Sequence, residues 1–306
     1  MFGAKPRLVL FMPAVLTAAV AACSHATERA AIDFPMAGSI RGSQSLFAGQ
    51  RAVVLVGEIH GTVEIPLLTA VLLRTASAER AAVLCVEAPT DEQVRLDEFL
   101  ASDGGESSVR ALLAGRHWTS QDGRAGRGHF GLLELSRRLI ADGREITVAA
   151  IDIPANRIEQ LLAEQPTPPR VLEFARQRDR VMAQNVAAAA ERNPHANILV
   201  LAGSVHTNLQ KGVPWDEEYE PMGSLLHHNK PGLVSLAAET SGGAAWVSTE
   251  QGTGPTAISG GDRGEEPFVE LSPGAQPDRS GLLYTGPVTA ASPMRGNANA
   301  AEPGKR

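Results

Sequence analysis

Four short apolar runs, each closing at a turn or a charged residue, constrain the fold of this 306-residue chain more than any other feature. They are Ala52–Val56, which ends at Gly57, then Ala82–Val86, Ile146–Ile151 and Ile198–Leu201. Continuous runs of this length and composition read as strands buried on both faces. Helical spacing fills the gaps between them. Ile65, Leu68 and Leu72 recur with Pro66 near the helix start, and Leu132, Leu135 and Leu139 do so before the stop at Asp142-Gly143. Strands alternating with helices predict an α/β fold: a three-layer domain whose mainly parallel central sheet is flanked by helices. After about residue 250, Gly, Ser, Thr and Pro dominate. The apolar islands Phe268–Leu271 and Leu282–Tyr284 are expected to form irregular or β-hairpin C-terminal cover.

A long helix is expected from about Pro169 to Arg192. Val171, Ala175, Arg178, Met182, Asn185 and Ala189 fall on one stripe of it. An Arg on a core-facing stripe has to be paired or line a cavity, so Arg178 is singled out before any motif is considered.

The N-terminus has the grammar of a secretory signal. Lys5 and Arg7 precede an apolar stretch from Leu8 to Ala22, which is too short to span a bilayer comfortably. It closes in Val20-Ala21-Ala22-Cys23, similar to the lipobox of bacterial lipoproteins. The expected organisation is a signal peptide over 1–22, an acylated Cys23, a tether over 23–50, an α/β domain over 51–289 and a disordered tail over 290–306. Such a chain is lipid-anchored in the cell envelope, on the periplasmic face of the outer membrane in a Gram-negative cell, and meets the membrane through its lipid. An ordinary secretory signal is the alternative. Loss of Lys5 and Arg7 on cleavage moves the net charge from −6 to −8, which argues against nucleic acid as a partner. Cys85 is left without a partner and, lying in an apolar run, is expected to be an inert core thiol.

Chemistry concentrates where the runs end. The first empties into Gly57-Glu58-Ile59-His60-Gly61-Thr62, and the fourth into Ala202-Gly203-Ser204-Val205-His206. Ligands of parallel α/β sheets bind at the carboxyl ends of strands, so two Gly-x-x-His loops at one edge can bring His60 and His206 towards one pocket. The second run leads into Glu87 and the third into Asp152. A carboxylate beside an imidazole either orients it and raises its basicity or shares a metal with it. His117-Trp118-Thr119-Ser120-Gln121-Asp122-Gly123-Arg124 reads as a loop folded over this edge. Arg124 there either recognises an anionic substrate or belongs to a structural turn capped by Asp122.

Over approximately residues 52–240 these motifs resemble a superfamily that joins ChaN-type haem-binding lipoproteins, erythromycin esterases and TIKI-type proteases, and they come nearest the ChaN-like group. Gly57-Glu58-Ile59-His60 resembles the first Gly-Glu-x-His motif of that group. Glu87 with Gln93–Leu100 resembles its next strand and helix. Arg178-Asp179-Arg180-Val181-Met182-Ala183 resembles an Arg-Asp-x-x-Met-Ala motif shared across the superfamily, and Ala202–His206 its closing Gly-x-x-His. The esterases carry one more residue between the first Glu and His, and the remaining metal residues of the TIKI proteases have no assignable counterpart here.

The resemblance implies one of two activities, since fold does not decide function. One is hydrolysis of an ester or amide bond in a small-molecule or peptide substrate. His60 is then the general base, Glu58 orients it, Arg178 and His206 stabilise the oxyanion, and Glu87 holds Arg178 or His206 in place. A divalent metal bridging Glu58, His60 and His206 is a variant of that reading. The other is capture of haem or an iron-bearing ligand for uptake. Haem wants an axial Tyr, His, Met or Cys facing an apolar cleft. Tyr219 and Tyr284, the only tyrosines, fall in no matched motif; His227-His228 could serve, although adjacent histidines on a polar loop are more often surface residues.

Overall fold

Strand β1 (Val53–Glu58) lies at the centre of the fold because both its faces are covered: Val54, Leu55 and Val56 are fully buried. The computed structural model describes residues 38–49, 51–230, 232–249, 252–272 and 274–295. The signal segment, Cys23, the first part of the tether and residues 296–306 lie outside the described residues. In chain order the elements are α1 (Gln44–Phe47), β1, α2 (Glu64–Ala76), β2 (Ala82–Pro89), α3 (Gln93–Leu100), α4 (Glu106–Leu113), α5 (Arg127–Ala141) and β3 (Ile146–Asp152). They continue with α6 (Ala155–Ala163), α7 (Pro168–Arg192), β4 (Asn197–Gly203), α8 (Met222–Asn229) and β5 (Val234–Glu239). The chain finishes with β6 (Gly242–Thr249), β7 (Gly252–Ser259), β8 (Phe268–Leu271), β9 (Gly281–Tyr284) and β10 (Pro287–Val288).

The central sheet runs β3-β2-β4-β1-β5-β9-β8 and is parallel except for the last pair, β8 with β9. Strand β4 is inserted between β1 and β2, so the chain leaves β1, skips a position and returns later to fill it. Its register sets Glu58 opposite Gly203 and Val86 opposite Leu201. The carboxyl ends of β1, β2 and β4 therefore open side by side. One sheet face packs Leu55, Val83, Cys85, Ile198 and Val200 against Met182 and Val186 of α7 and Met222 and Leu226 of α8. The alternating residues Val54, Val56, Leu84 and Leu199 are equally buried on the other face, where α2 lies over β4, β1 and β2 and packs on α5.

Helix α7 explains its own stripe. Met182, Val186 and Ala189 are buried, whereas Val171 is 47% exposed because the helix begins beyond the sheet. Asn185 donates to the Ile151 carbonyl at 2.8 Å, which satisfies a polar group on the packed face. Cys85 is fully buried without a partner, and burial pushes its thiol up to about 12, consistent with an inert core residue.

The C-terminal region holds more than cover. β9 joins the central sheet parallel to β5, and β8 pairs antiparallel with β9, so both apolar islands extend the sheet. The hairpin β6–β7 forms a separate sheet with β10. Ordered structure also runs past 51–289 on both sides. Ile40 and Leu46 are buried, the Val269 N–H donates to the Arg41 carbonyl at 2.8 Å, and the Ala291 N–H donates to the Gly61 carbonyl at 2.7 Å. These edges are held by backbone hydrogen bonds, which leave little trace in side-chain patterning. Among the described residues no helix is long and apolar enough to cross a membrane.

Candidate active site

The end of β1 carries Glu58 into the interior, with its side chain only 1% exposed, while His60 stands two residues on at 27%. His60 Nδ1–H donates to Glu58 Oε1 at 2.8 Å, which leaves Nε2 directed towards Glu87 Oε2, 3.7 Å away. Burial works against the charge on Glu58, but His129 and His60 outweigh it and draw the carboxyl down to about 2. Burial likewise opposes the charge on His60, and Glu58 and Glu87 overcome it, so the imidazole is a stronger base than usual.

Glu87, at the end of β2, is the hub. Oε2 accepts the Gly203 N–H at 2.8 Å, and Oε1 accepts from Arg178 Nη2 and, at 3.2 Å, from Arg124 Nη1. Burial would raise its carboxyl, but Arg178, His206, His60 and Arg124 hold it well below the usual carboxylate range. Gly203 is a close-approach glycine, since a Cβ there would lie 2.7 Å from His60 Nε2.

Arg178 projects from α7 and is answered twice. Its Nε donates to Asp152 Oδ1 at 2.8 Å and its Nη2 to Asp152 Oδ2 at 2.6 Å, alongside the Glu87 contact. Its Nη1 lies 3.3 Å from His206 Nε2. His206 Nδ1 faces Asp179 Oδ1 at 2.9 Å, and Asp179, fully buried, also accepts from Tyr219 and from the Met222 N–H at 2.7 Å. With Nδ1–H given to Asp179, His206 Nε2 is left to accept from Arg178. In this arrangement His206 orients the guanidinium and offers no donor to an oxyanion.

Glu58, His60, Glu87, Arg178 and His206 are thus brought to one edge by β1, β2, α7 and the turn after β4. Sequence reasoning missed three of their neighbours as site residues. His129, in the first turn of α5, reaches Glu58 Oε1 at 3.0 Å. Asp179 sits in the quoted Arg-Asp motif but next to, not on, the apolar stripe. Asp152 is marked in the sequence only as the end of an apolar run. Arg124 belongs to the structural turn: Asp122 Oδ1 accepts the Arg124 N–H at 3.2 Å as a turn cap, and Asp122 Oδ2 holds the guanidinium at 2.9 Å. Trp118, in the same loop, is buried.

The metal variant meets a physical objection. Among the described residues no three His, Cys, Asp or Glu side chains are gathered as a cation would require. His206 Nε2 lies 3.3 Å from the Arg178 guanidinium, and both oxygens of Glu87 are already taken, so a dication held by His206 would face Arg178. Neither tyrosine is free to ligate haem, which leaves an axial role to histidine. The Tyr219 hydroxyl is committed to Asp179, and that of Tyr284 donates to the Gly264 carbonyl at 2.8 Å. Cys85, Met182 and Met222 are fully buried in the sheet–helix core.

Residues 156–216, which carry α7, β4 and His206, match the model for the family described as haem-binding uptake, Tiki superfamily, ChaN. The resemblance is to the ChaN group of the Tiki superfamily. No curated protein sequence matches the chain. Three solved structures share the fold at low identity. A Bacillus cereus protein aligns with TM-score 0.59 and 13% identity over 81% of this chain and 91% of its own. An erythromycin esterase variant in its open conformation gives 0.56 and 14% over 83% and 98%. A succinoglycan biosynthesis protein gives 0.58 and 12% over 81% and 91%. The Tiki-superfamily resemblance and the α/β architecture with its mostly parallel sheet therefore agree.

Proposed function

We propose that this chain is an envelope hydrolase of ester or amide bonds. The observation that carries the reading is the layering of charge. The carboxylates of Glu58, Glu87, Asp152 and Asp179 are at most 2% exposed, whereas His60, Arg124, Arg178 and His206 are 13–27% exposed above them. An incoming substrate meets an imidazole base and guanidinium donors, each held by a buried anion. That is the arrangement a carbonyl needs.

His60 Nε2 takes a proton from water as the water oxygen bonds to the carbonyl carbon. Arg178, with Arg124 in place of the His206 first expected, stabilises the oxyanion. The tetrahedral species then collapses with cleavage of the C–O or C–N bond, and the imidazolium returns its proton to the leaving group. Glu58 fixes the Nδ1–H tautomer throughout. The erythromycin esterase among the structural relatives supports an acyl substrate by fold alone. Haem capture is the rival, and the family description of the segment 156–216 favours it.

The pH profile tests the role of the pair. The base must be neutral, and its pKa is raised, so kcat/KM should rise with pH through an acidic limb above the ordinary histidine value of roughly 6.5. Glu58→Gln removes one of the two carboxylates that raise it, so the limb should move to lower pH while the plateau falls. A limb that stays in place in Glu58→Gln would remove Glu58 from the mechanism.

The lipid anchor is part of the same proposal. Cys23→Ser should leave an unprocessed or unlipidated precursor that no longer fractionates with the envelope membrane. Identical processed mass and membrane fraction in both proteins would rule the anchor out.

A further inference from the structure

Glu58 serves two imidazoles, and the chemistry above uses one. Its Oε1 accepts from His60 at 2.8 Å and also lies 3.0 Å from Nε2 of His129, a side chain only 12% exposed. Helix α5 comes this close because of Gly128, where a Cβ would sit 2.5 Å from the Thr62 carbonyl oxygen. Behind the ring, His129 Nδ1 is buried without a hydrogen-bond partner, and Glu92 Oε2 accepts no hydrogen bond either, with Arg95 Nε 3.7 Å from it. His129 and Glu92 line one cavity of about 20 Å³, together with His117 and Trp118. Leu96, Leu132 and Leu133 make most of its wall apolar, but a water needs only roughly 10–15 Å³, so there is room for a single molecule against the polar atoms of His129 and Glu92.

We infer that His129 is a positioning residue: its Nε2–H holds Glu58 in register with His60, and a single buried water shared with Glu92 satisfies its Nδ1. The functional half rests on the base role of His60, but the hydrogen-bonding half does not. With one donor on Glu58 the carboxylate is free to rotate about its last bond. With two donors converging on Oε1 it is fixed, and His60 with it. An unpartnered buried imidazole nitrogen is costly, so the water belongs to the device and is not an ornament of it.

Imidazole 15N spectra of the wild-type protein read the tautomers without any substrate. The proton of His129 is expected on Nε2 and that of His60 on Nδ1, and Glu58→Gln should shift both proton resonances together. A bare Nε2 on His129, or movement of the His60 resonance alone, overturns the inference whether or not the protein proves to be a hydrolase. A high-resolution crystal structure should show one solvent peak between His129 and Glu92, and a dry cavity overturns the water. In turnover, His129→Leu should lower kcat on the order of tenfold to a hundredfold with little change in KM, as misplacement of a catalytic group does. His129→Gln, which returns an N–H to the same place, should restore most of it. A His129→Leu protein with wild-type kcat overturns the positioning role. Should that variant fail to fold, the Gln variant and the wild-type spectra decide the question.

Discussion

Arg178→Met is expected to cost about 3–5 kcal/mol of stability, the usual penalty for removing one partner from a buried ionic cluster. The reason is the company the guanidinium keeps. Glu87 and Asp152 are each no more than 2% exposed, and both lie on Arg178. Arg124 alone cannot replace it, being 3.2 Å from Glu87 but 3.9 Å from Asp152 and already held by Asp122. For a domain of this size the loss amounts to a thermal midpoint lower by on the order of 10 °C. The sign of its pH dependence is diagnostic. In the wild type, Arg178 helps keep the Glu87 carboxyl well below its ordinary value, so the stability it contributes is present near neutrality and lost as pH falls through that depressed value. In the variant the stranded carboxylates are relieved by protonation, so the two denaturation midpoints should converge as pH is lowered. Equal midpoints at neutral pH would mean that the cluster is solvated and Arg178 dispensable.

His60→Ala should behave in the opposite way. Turnover on the best ester or amide substrate is expected to fall about 10²–10⁴-fold, the contribution typical of a positioned general base. The thermal midpoint should hold or rise, because residues kept for reactivity are seldom optimal for stability. The local geometry agrees: His60 is 27% exposed, and on its removal Glu58 still has His129 at 3.0 Å. A merely structural histidine would instead cost roughly 1–3 kcal/mol with activity intact. Substrates should be screened as esters, amides and phosphates, with and without zinc or manganese. If neither protein turns anything over, and a Soret band develops only when the wild type is mixed with haem, the site belongs to uptake and the hydrolase reading falls.

The sequence by itself determined the strands and what stands at their ends. Runs such as Val53–Val56 and Ile198–Leu201 are apolar on both faces, and that alternation-free pattern is local, so it survives reading in one dimension. The residues that follow each run, Glu58, His60, Glu87, Asp152 and His206, are at the carboxyl edge because a parallel sheet leaves them nowhere else to be. The helical period likewise marked Arg178 as an Arg that needed partners, although not which ones. Only the tertiary structure decided the strand order that inserts β4 between β1 and β2, the recruitment of β5, β9 and β8 into the same sheet, and the arrival of His129 on Glu58 across 71 residues. Asp179 behind His206 and Arg124 on Glu87 belong with these. Such contacts depend on how helices and loops dock, which is set by close packing summed over many side chains and by backbone hydrogen bonds. A single position such as Gly128 or Asp179 carries no periodic mark of the partner it will meet.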